Sequence, residues 1–265
     1  MVMQDIPGQT PIPLSVILIT KNEAAHIGDC IDSILPLAAQ IVVVDSGSTD
    51  ETVDIARARG ATVVVTPDWP GFGPQKNRAL DLATQPWVLS LDADERVTPD
   101  LAREIRRVVD AGEGTPTLDA YKMARLSNFC GRWIKHGGWW PDHVVRLFRR
   151  GSARFNDAIV HERIETRGKV GMLHGHLLHY SYPDMDHFMR KMVHYASDAA
   201  AMMHARGKRA SIWSAMGHAT WTFLRIYLFR RGFLDGREGF IIAATSAMGS
   251  FLRYTKLMVL GRRER

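Results

Sequence analysis

The strongest constraint on the fold is a repeated pattern. Four short apolar runs rich in β-branched residues (13–20, 41–44, 61–65 and 87–91) are separated by turn residues and stretches with helical spacing. Strands alternating with helices predict an α/β fold with a largely parallel sheet, and such sheets bind ligands outside the carboxyl ends of their strands. Three of the four runs end in polar or acidic residues: Thr20 to Glu23, Asp45, and the pair Asp92 and Asp94. Helices are expected from Asn22 to about Leu35, from Thr49 or Asp50 to Arg59, from Gln75 to Ala83, and from Pro99 to Asp110. Beyond a Gly/Thr/Pro-rich joint at 112–117 the alternation weakens. Strand-like segments near 121–126, 144–149 and 170–180 are expected to complete the sheet and shape a second substrate's pocket.

The net charge of +6 conceals a gradient. Residues 1–119 hold 9 Lys and Arg against 18 Asp and Glu, whereas residues 187–265 hold 14 against 4. A basic end suits nucleic acid or an anionic membrane surface, and the apolar character of this one favours the membrane and argues against nucleic acid. Residues 212–229 contain one formal charge, Arg225. That stretch lies at the short limit for a span, and the next, 240–252, is shorter still. Interfacial helices with Trp and Tyr at headgroup depth fit better, while soluble helices packed on a catalytic domain are the plainer alternative. The expected organisation is therefore a catalytic domain over 1–186 and a basic, apolar helical extension over 187–265. The start of the chain lacks the pattern of a signal peptide, and Cys30 and Cys130 make no disulfide framework, which fits a reducing compartment.

Hard divalent cations are commonly held by one or two carboxylates plus substrate phosphates, so Asp92 and Asp94 at a strand end point to a diphosphate-bearing substrate with Mg²⁺ or Mn²⁺. Asp45 is suited to accept hydrogen bonds from a base or ribose, and Lys76 to neutralise phosphate. Each also has a plainer role: Asp-x-Asp as a turn before the helix at Pro99, Asp45 as a turn former, Lys76 as a solvated helix charge, Glu23 as a helix-start acid. Trp139, Trp140 and Asp142 could line a sugar, although aromatic clusters are more often core. His174, His176 and His179 invite a metal site, yet on a strand the first two share a face and His179 takes the other.

The motifs Leu14-Ser15-Val16-Ile17-Leu18-Ile19-Thr20-Lys21-Asn22-Glu23, Val44-Asp45-Ser46-Gly47-Ser48-Thr49-Asp50, Lys76-Asn77-Arg78-Ala79 and Leu91-Asp92-Ala93-Asp94-Glu95 together resemble the family 2 inverting glycosyltransferases. The similarity is greatest to their lipopolysaccharide-core β-glucosyltransferases, and covers about residues 13–180; Gly232-Phe233-Leu234-Asp235-Gly236 resembles that subgroup's tail. The resemblance implies a Rossmann-like, A-type nucleotide-sugar fold. Thr20, Glu23, Asp45, Lys76 and Asp92 would surround the nucleotide, with Asp92 and Asp94 as the Asp-x-Asp metal pair. Lys21 stands where many relatives carry Tyr, which puts a stack on the base in question. It further implies a UDP-sugar donor, UDP-glucose being the best candidate, and a lipid-linked saccharide acceptor at the cytoplasmic face of the inner membrane. An inverting transfer needs a carboxylate near the acceptor hydroxyl. Glu162, in Val160-His161-Glu162, is the expected base, with Asp157 as the alternative, and Trp140, Asp142, Arg146 and Asp157 would face the sugars. Glu162 could also be a surface acid paired with Arg163 or Arg167.

A haloacid-dehalogenase-like phosphatase also places Asp-x-Asp after an apolar strand, but expects Thr or Val where Arg96 stands. A membrane-surface scaffold could retain an inert nucleotide fold. Neither a dinucleotide fingerprint nor a P-loop occurs, which argues against a dehydrogenase or ATPase.

Overall fold

Strand β1 (Ile12–Thr20) is apolar on both faces, and Leu14, Val16, Ile17 and Leu18 are all almost completely buried. Only layers on both sides of a sheet satisfy such a run. The computed structural model describes residues 10–111, 118–156, 163–166, 168–182 and 184–262. Strands β2 (Ala38–Asp45), β3 (Thr62–Val65) and β4 (Trp87–Asp92) join β1 in parallel, in the order β3-β2-β1-β4. Helices α1 (Ile27–Asp32), α2 (Thr52–Ala58) and α3 (Phe72–Asp81) lie in the connections. The register sets Thr20 opposite Asp45 and Ile19 opposite Asp92, which brings three strand ends to one edge.

After β4 come β5 (Glu95–Val97), α4 (Pro99–Asp110), β6 (Ala120–Phe129), β7 (Arg132–Trp133) and β8 (Asp142–Arg149). They are followed by β9 (Ala153–Phe155), β10 (Ile164–Thr166) and β11 (Val170–Tyr182). The sheet continues β4-β8-β6-β11-β5, with β8 antiparallel to β4 and β6, and β5 antiparallel to β11. The α/β class stands as expected: the first four strands are parallel, β8 and β5 run against their neighbours, and β6 and β11 run side by side in the same direction, Gly171 lying against Tyr121 at one end and the Cys130 N–H donating to the Tyr182 carbonyl at the other. No crossover helix separates β6 from β8, and strands joined without one pair antiparallel. Helix α4 starts at an N-cap, where the Thr98 hydroxyl accepts from the Leu101 N–H, and its apolar face buries Leu101, Ile105 and Val109. It crosses β11 so closely that a Cβ on Gly175 would lie 2.5 Å from the Leu101 Cα.

Contacts divide the chain into two units. The first runs through Arg125 and resumes over Asp142–His179; the second combines Leu126–Pro141 with the chain from Tyr180 onward. The boundary thus differs from the single break expected near residue 186. An aromatic cluster explains it: Phe129, Trp139, Tyr182 and Phe188 pack edge to face or tilted, with ring centroids 4.9–6.4 Å apart, and so draw 126–141 into the second unit.

The second unit is otherwise helical: α5 (Met185–Ala205), α6 (Ile212–Leu224), a π-helical turn Arg225–Phe229, a 3₁₀ turn Gly232–Asp235, and α7 (Gly236–Leu260). Ile134, Ile226, Ile242 and Ala243 join the aromatic rings in its core. Asp235 of the Gly-Phe-Leu-Asp-Gly motif is buried and accepts from the N–H groups of Lys135 and His136 at 3.3 and 2.8 Å, while its Oδ1 lies 2.9 Å from His136 Nδ1. Among the described residues no helix is long and apolar enough to cross a membrane.

Candidate active site

The loop after β2 is organised by Asp45. Its carboxylate is fully buried and accepts from the Thr20 hydroxyl at 2.8 Å, the Gly47 and Ser48 N–H groups at 2.9 and 2.7 Å, and the Ser48 hydroxyl. Gly47 permits that turn with φ of 80°. The loop after β1 is stitched to it: the Asn22 N–H donates to Ser48 Oγ at 2.8 Å, the Glu23 N–H to Thr52 Oγ1 at 2.7 Å, and the Ala24 N–H to Asp50 at 3.1 Å. Thr20, Glu23 and Asp45 are therefore brought to one edge, where Asp45 acts as the internal clamp of the loop.

Helix α3 presents three consecutive polar residues with separate tasks. Gln75 is fully buried and donates to Ser46 Oγ and Thr66 Oγ1 at 3.0 and 2.8 Å. Lys76, also buried, donates to Asp92 Oδ1 at 2.8 Å and lies 5.6 Å from the centre of the Phe155 ring. Asn77 bonds the Phe155 backbone both ways, at 2.9 and 3.1 Å, and so ties the β9–β10 hairpin to this helix.

From Asp92 a chain of alternating charges runs through the sheet. Asp92 Oδ2 accepts from Arg146 Nη2, which also reaches Glu95 Oε1 at 2.6 Å. Glu95, fully buried, accepts from the Asp92 N–H at 3.0 Å and pairs with Arg125 at 3.4 Å; Arg125 pairs with Asp142 at 2.6 Å. Burial alone would push the Asp92 carboxyl up, but the charges of Arg146 and Lys76 and their hydrogen bonds outweigh it and hold it well below the usual carboxylate range. Burial likewise opposes the Arg146 charge, and the carboxylates of Asp92 and Glu95 overcome it, raising its pKa.

Asp94 differs. Its Oδ2 lies 3.3 Å from His179 Nε2, because β11 pairs with β5 and sets His179 opposite Glu95. Burial raises the Asp94 carboxyl, and the hydrogen bond and charge of His179 more than compensate, so that it lies below its ordinary value. Among the described residues no group of three or more His, Cys, Asp or Glu forms a cage for a cation. The Asp94–His179 pair still fits a hard divalent ion of the kind that takes one or two protein ligands and fills its remaining positions with phosphate and water. Both Asp92 oxygens are engaged by cations, which leaves Asp94 as the carboxylate of the pair with an oxygen open to a metal.

Of the residues expected on the sugar side, Arg146 and Asp142 belong to the charge chain, and Trp140 is half-buried. Trp139 is part of the aromatic core of the second unit. His174 is exposed, its N–H bonded to Glu104 at 2.7 Å. Glu162, Asp157 and His161 lie outside the described residues. The hairpin stem beside them is clear: the Asn156 N–H donates to the Arg163 carbonyl at 3.1 Å. Sequence reasoning missed Gln75, Glu95, Arg125 and the partnership of His179. Glu95 adjoins the Asp pair and His179 was separable by its strand face, so both left a trace; the pairing of Arg125 with Asp142 follows from the β6–β8 register alone. Both cysteines are free, and burial raises the Cys30 thiol.

The glycosyl transferase family 2 model matches residues 15–155, the span that holds this edge. An uncharacterized glycosyltransferase of Rickettsia typhi is 31% identical over 95% of this chain and 89% of its own length. The lipopolysaccharide core biosynthesis glycosyltransferase LpsC of Rhizobium meliloti is 34% identical over 93% of this chain and 92% of its own. Among solved structures, glucosyl-3-phosphoglycerate synthase from Mycobacterium tuberculosis, in complex with Mn²⁺, UDP and glucosyl-3-phosphoglycerate, is 30% identical over 44% of each chain with a TM-score of 0.34. Strand-end motifs, family match and near full-length relatives agree, and the phosphatase reading falls away: the chain belongs to glycosyltransferase family 2.

Proposed function

We propose that this glycosyltransferase moves a hexose, glucose by first preference, from a UDP-sugar to a hydroxyl of a lipopolysaccharide inner-core or related glycolipid acceptor, with inversion. The observation that carries the proposal is the Asp94–His179 pair beside the Lys76–Asp92–Arg146 chain at the end of β4. The name of the Rhizobium meliloti relative supports the acceptor class. Asp94 and His179 would hold Mg²⁺ or Mn²⁺. When bound, the ion neutralises the departing diphosphate. Asp92 holds Lys76 and Arg146 in place, and their positive charge would act on the leaving group without reorganisation. Thr20 and Glu23, shaped by the Asp45 clamp, would line the nucleotide.

Glu162 would take the proton of the acceptor hydroxyl as it attacks the anomeric carbon, with Asp157 as the alternative base. The tie from Asn77 to Phe155 supports this choice, since it fixes the hairpin stem leading to both acids on the helix that carries Lys76. The basic helical tail would keep the enzyme peripheral on the cytoplasmic face of the inner membrane, by charge and by its exposed Trp213, Trp221 and Phe229.

The test is UDP release with a panel of UDP-sugars and purified inner-core acceptor, with and without EDTA and metal add-back. Transfer that depends on added Mg²⁺ or Mn²⁺ is expected. Full activity in EDTA removes the metal assignment, and no UDP release with any donor returns the chain to the scaffold reading. For the base, Glu162→Gln should collapse kcat and leave UDP binding near wild type, with Asp157→Asn milder; the reverse ranking moves the base to Asp157.

A further inference from the structure

A cavity of about 360 Å³ opens among α5, α6 and α7 of the second unit, within the size range of small-ligand pockets. Its wall carries Lys191, Arg225 and Arg253 and the hydroxyls of Ser246 and Ser250, with no Asp or Glu. Among the described residues none of the three cations forms an ion pair with a carboxylate. Lys191 is held over the Tyr182 ring, 5.3 Å from its centre. Arg253 Nε is buried and makes no hydrogen bond. Three positive charges and an unmet guanidinium donor around one cavity are unfavourable until an anion enters, and a guanidinium fork matches phosphate geometry.

Two further observations give the anion an apolar attachment. Arg225 opens the π-helical turn Arg225–Phe229, a distortion that recurs at functional sites. Trp221 and Phe229 stand four residues to either side of it, their ring centroids 5.6 Å apart and their side chains 54% and 68% exposed. Free phosphate has no use for exposed rings, whereas a phosphate carried on acyl chains places them at headgroup depth.

We propose that this cavity binds the phosphate monoester headgroup of a membrane lipid, with Arg225 and Arg253 as its forks and Lys191 as the third positive charge. The proposal rests on the membrane-surface reading of the tail given above and assigns that surface a specific headgroup. Three cations suit a dianionic monoester better than a singly charged carboxylate.

The test is co-sedimentation of the full chain, without donor nucleotide, with phosphatidylcholine vesicles containing about one lipid in five as phosphatidic acid. The comparison vesicles contain cholesteryl hemisuccinate adjusted to the same surface charge. Wild type should half-saturate at about tenfold less phosphatidic acid vesicle, the equivalent of one charge-assisted hydrogen bond. Arg225→Gln, at an exposed position where folding is not at risk, should erase that preference, and Arg253→Gln should do the same. Arg230→Gln, outside the cavity wall, should weaken binding to both vesicles equally and keep the preference. Equal binding of wild type to both vesicles overturns the proposal, as does a preference that survives Arg225→Gln. Binding of inorganic phosphate that Arg225→Gln abolishes, in a protein that sediments equally with both vesicles, assigns the cavity to free phosphate and overturns the lipid. Sedimentation with neither vesicle overturns the membrane reading as well, and UDP release measured in detergent shows separately whether the transfer reading survives.

Discussion

Each unit gathers three cations at one place, and the two clusters are treated in opposite ways. In the first, Lys76, Arg146 and Arg125 are each bonded to a carboxylate, and Lys76 and Arg146 are buried, with the half-buried Asp92 between them, in a chain that ends at Asp142. In the second, Lys191, Arg225 and Arg253 gather around a cavity with no carboxylate in its wall. A charge paired within the fold has a fixed position and can orient a substrate without rearranging, whereas a charge left unpaired is available to recruit a partner. On the functions proposed above, the difference would separate a unit that holds a reaction geometry from one that attaches.

The largest effect tests Asp94, a carboxylate of the first unit whose partner is a histidine rather than a permanent cation. Asp94→Asn should lower kcat/KM for transfer by about 10³-fold, since it removes charge stabilisation of the leaving group, while the fold survives. UDP-release kinetics beside a thermal melt check it. An active Asn variant would place Asp94 among the structural charges, with Asp92.

Next comes the paired chain itself. Arg146→Met should destabilise the first unit by about 3–5 kcal/mol, because it leaves the buried Glu95 and the half-buried Asp92 without their shared counter-charge. Urea unfolding measures this. A change below about 1 kcal/mol would mean that water, rather than Arg146, compensates these carboxylates.

The same chain makes a pH prediction of intermediate size. The Asp92 carboxyl is depressed in the folded protein, so its contribution is fully present above the unfolded value of about 3.9 and is lost as pH falls toward the folded value. Asp92→Asn should therefore lower the urea midpoint at neutral pH and make it less dependent on pH below about 4. An unchanged acid limb would show that Asp94 or another carboxylate dominates acid unfolding.

What the sequence disclosed follows the same division. The first four strands were legible because buried strands read as continuous apolar runs, and the turn signal after each marks the residue at its end; Thr20, Asp45 and Asp92 were read in this way. The mixed half was less so, since the pairing of β8 with β4 and of β11 with β5 depends on contacts between segments far apart in the chain. Gln75 and Glu95 escaped for a related reason: a polar residue in a helix or turn looks solvated until its distant partners are known. His179 could be assigned a strand face but not a partner, since only the β5–β11 register brings it to Asp94. That 126–141 group with the second unit could not be read from the sequence, because Phe129 and Trp139 precede, by dozens of residues, the Tyr182 and Phe188 rings they pack against.

The smallest effect is the sharpest check of the contrast between paired and unpaired charge. Arg225 is exposed and has no ion-pair partner among the described residues, and surface substitutions away from specific interactions usually change stability by less than about 0.5 kcal/mol. Arg225→Gln should therefore leave the melting temperature within about 2 °C of wild type, or raise it slightly as repulsion from Lys191 and Arg253 is relieved. Arg146→Met, one positive charge removed by a comparable truncation, should shift it by about 10 °C or more in a unit of this size. The two melts, run side by side, ask whether position or mere charge count governs stability. A destabilisation by Arg225→Gln that approaches that of Arg146→Met would mean that Arg225 is bound to an acceptor within the fold, and the division between a positioning unit and an attaching unit would have to be redrawn.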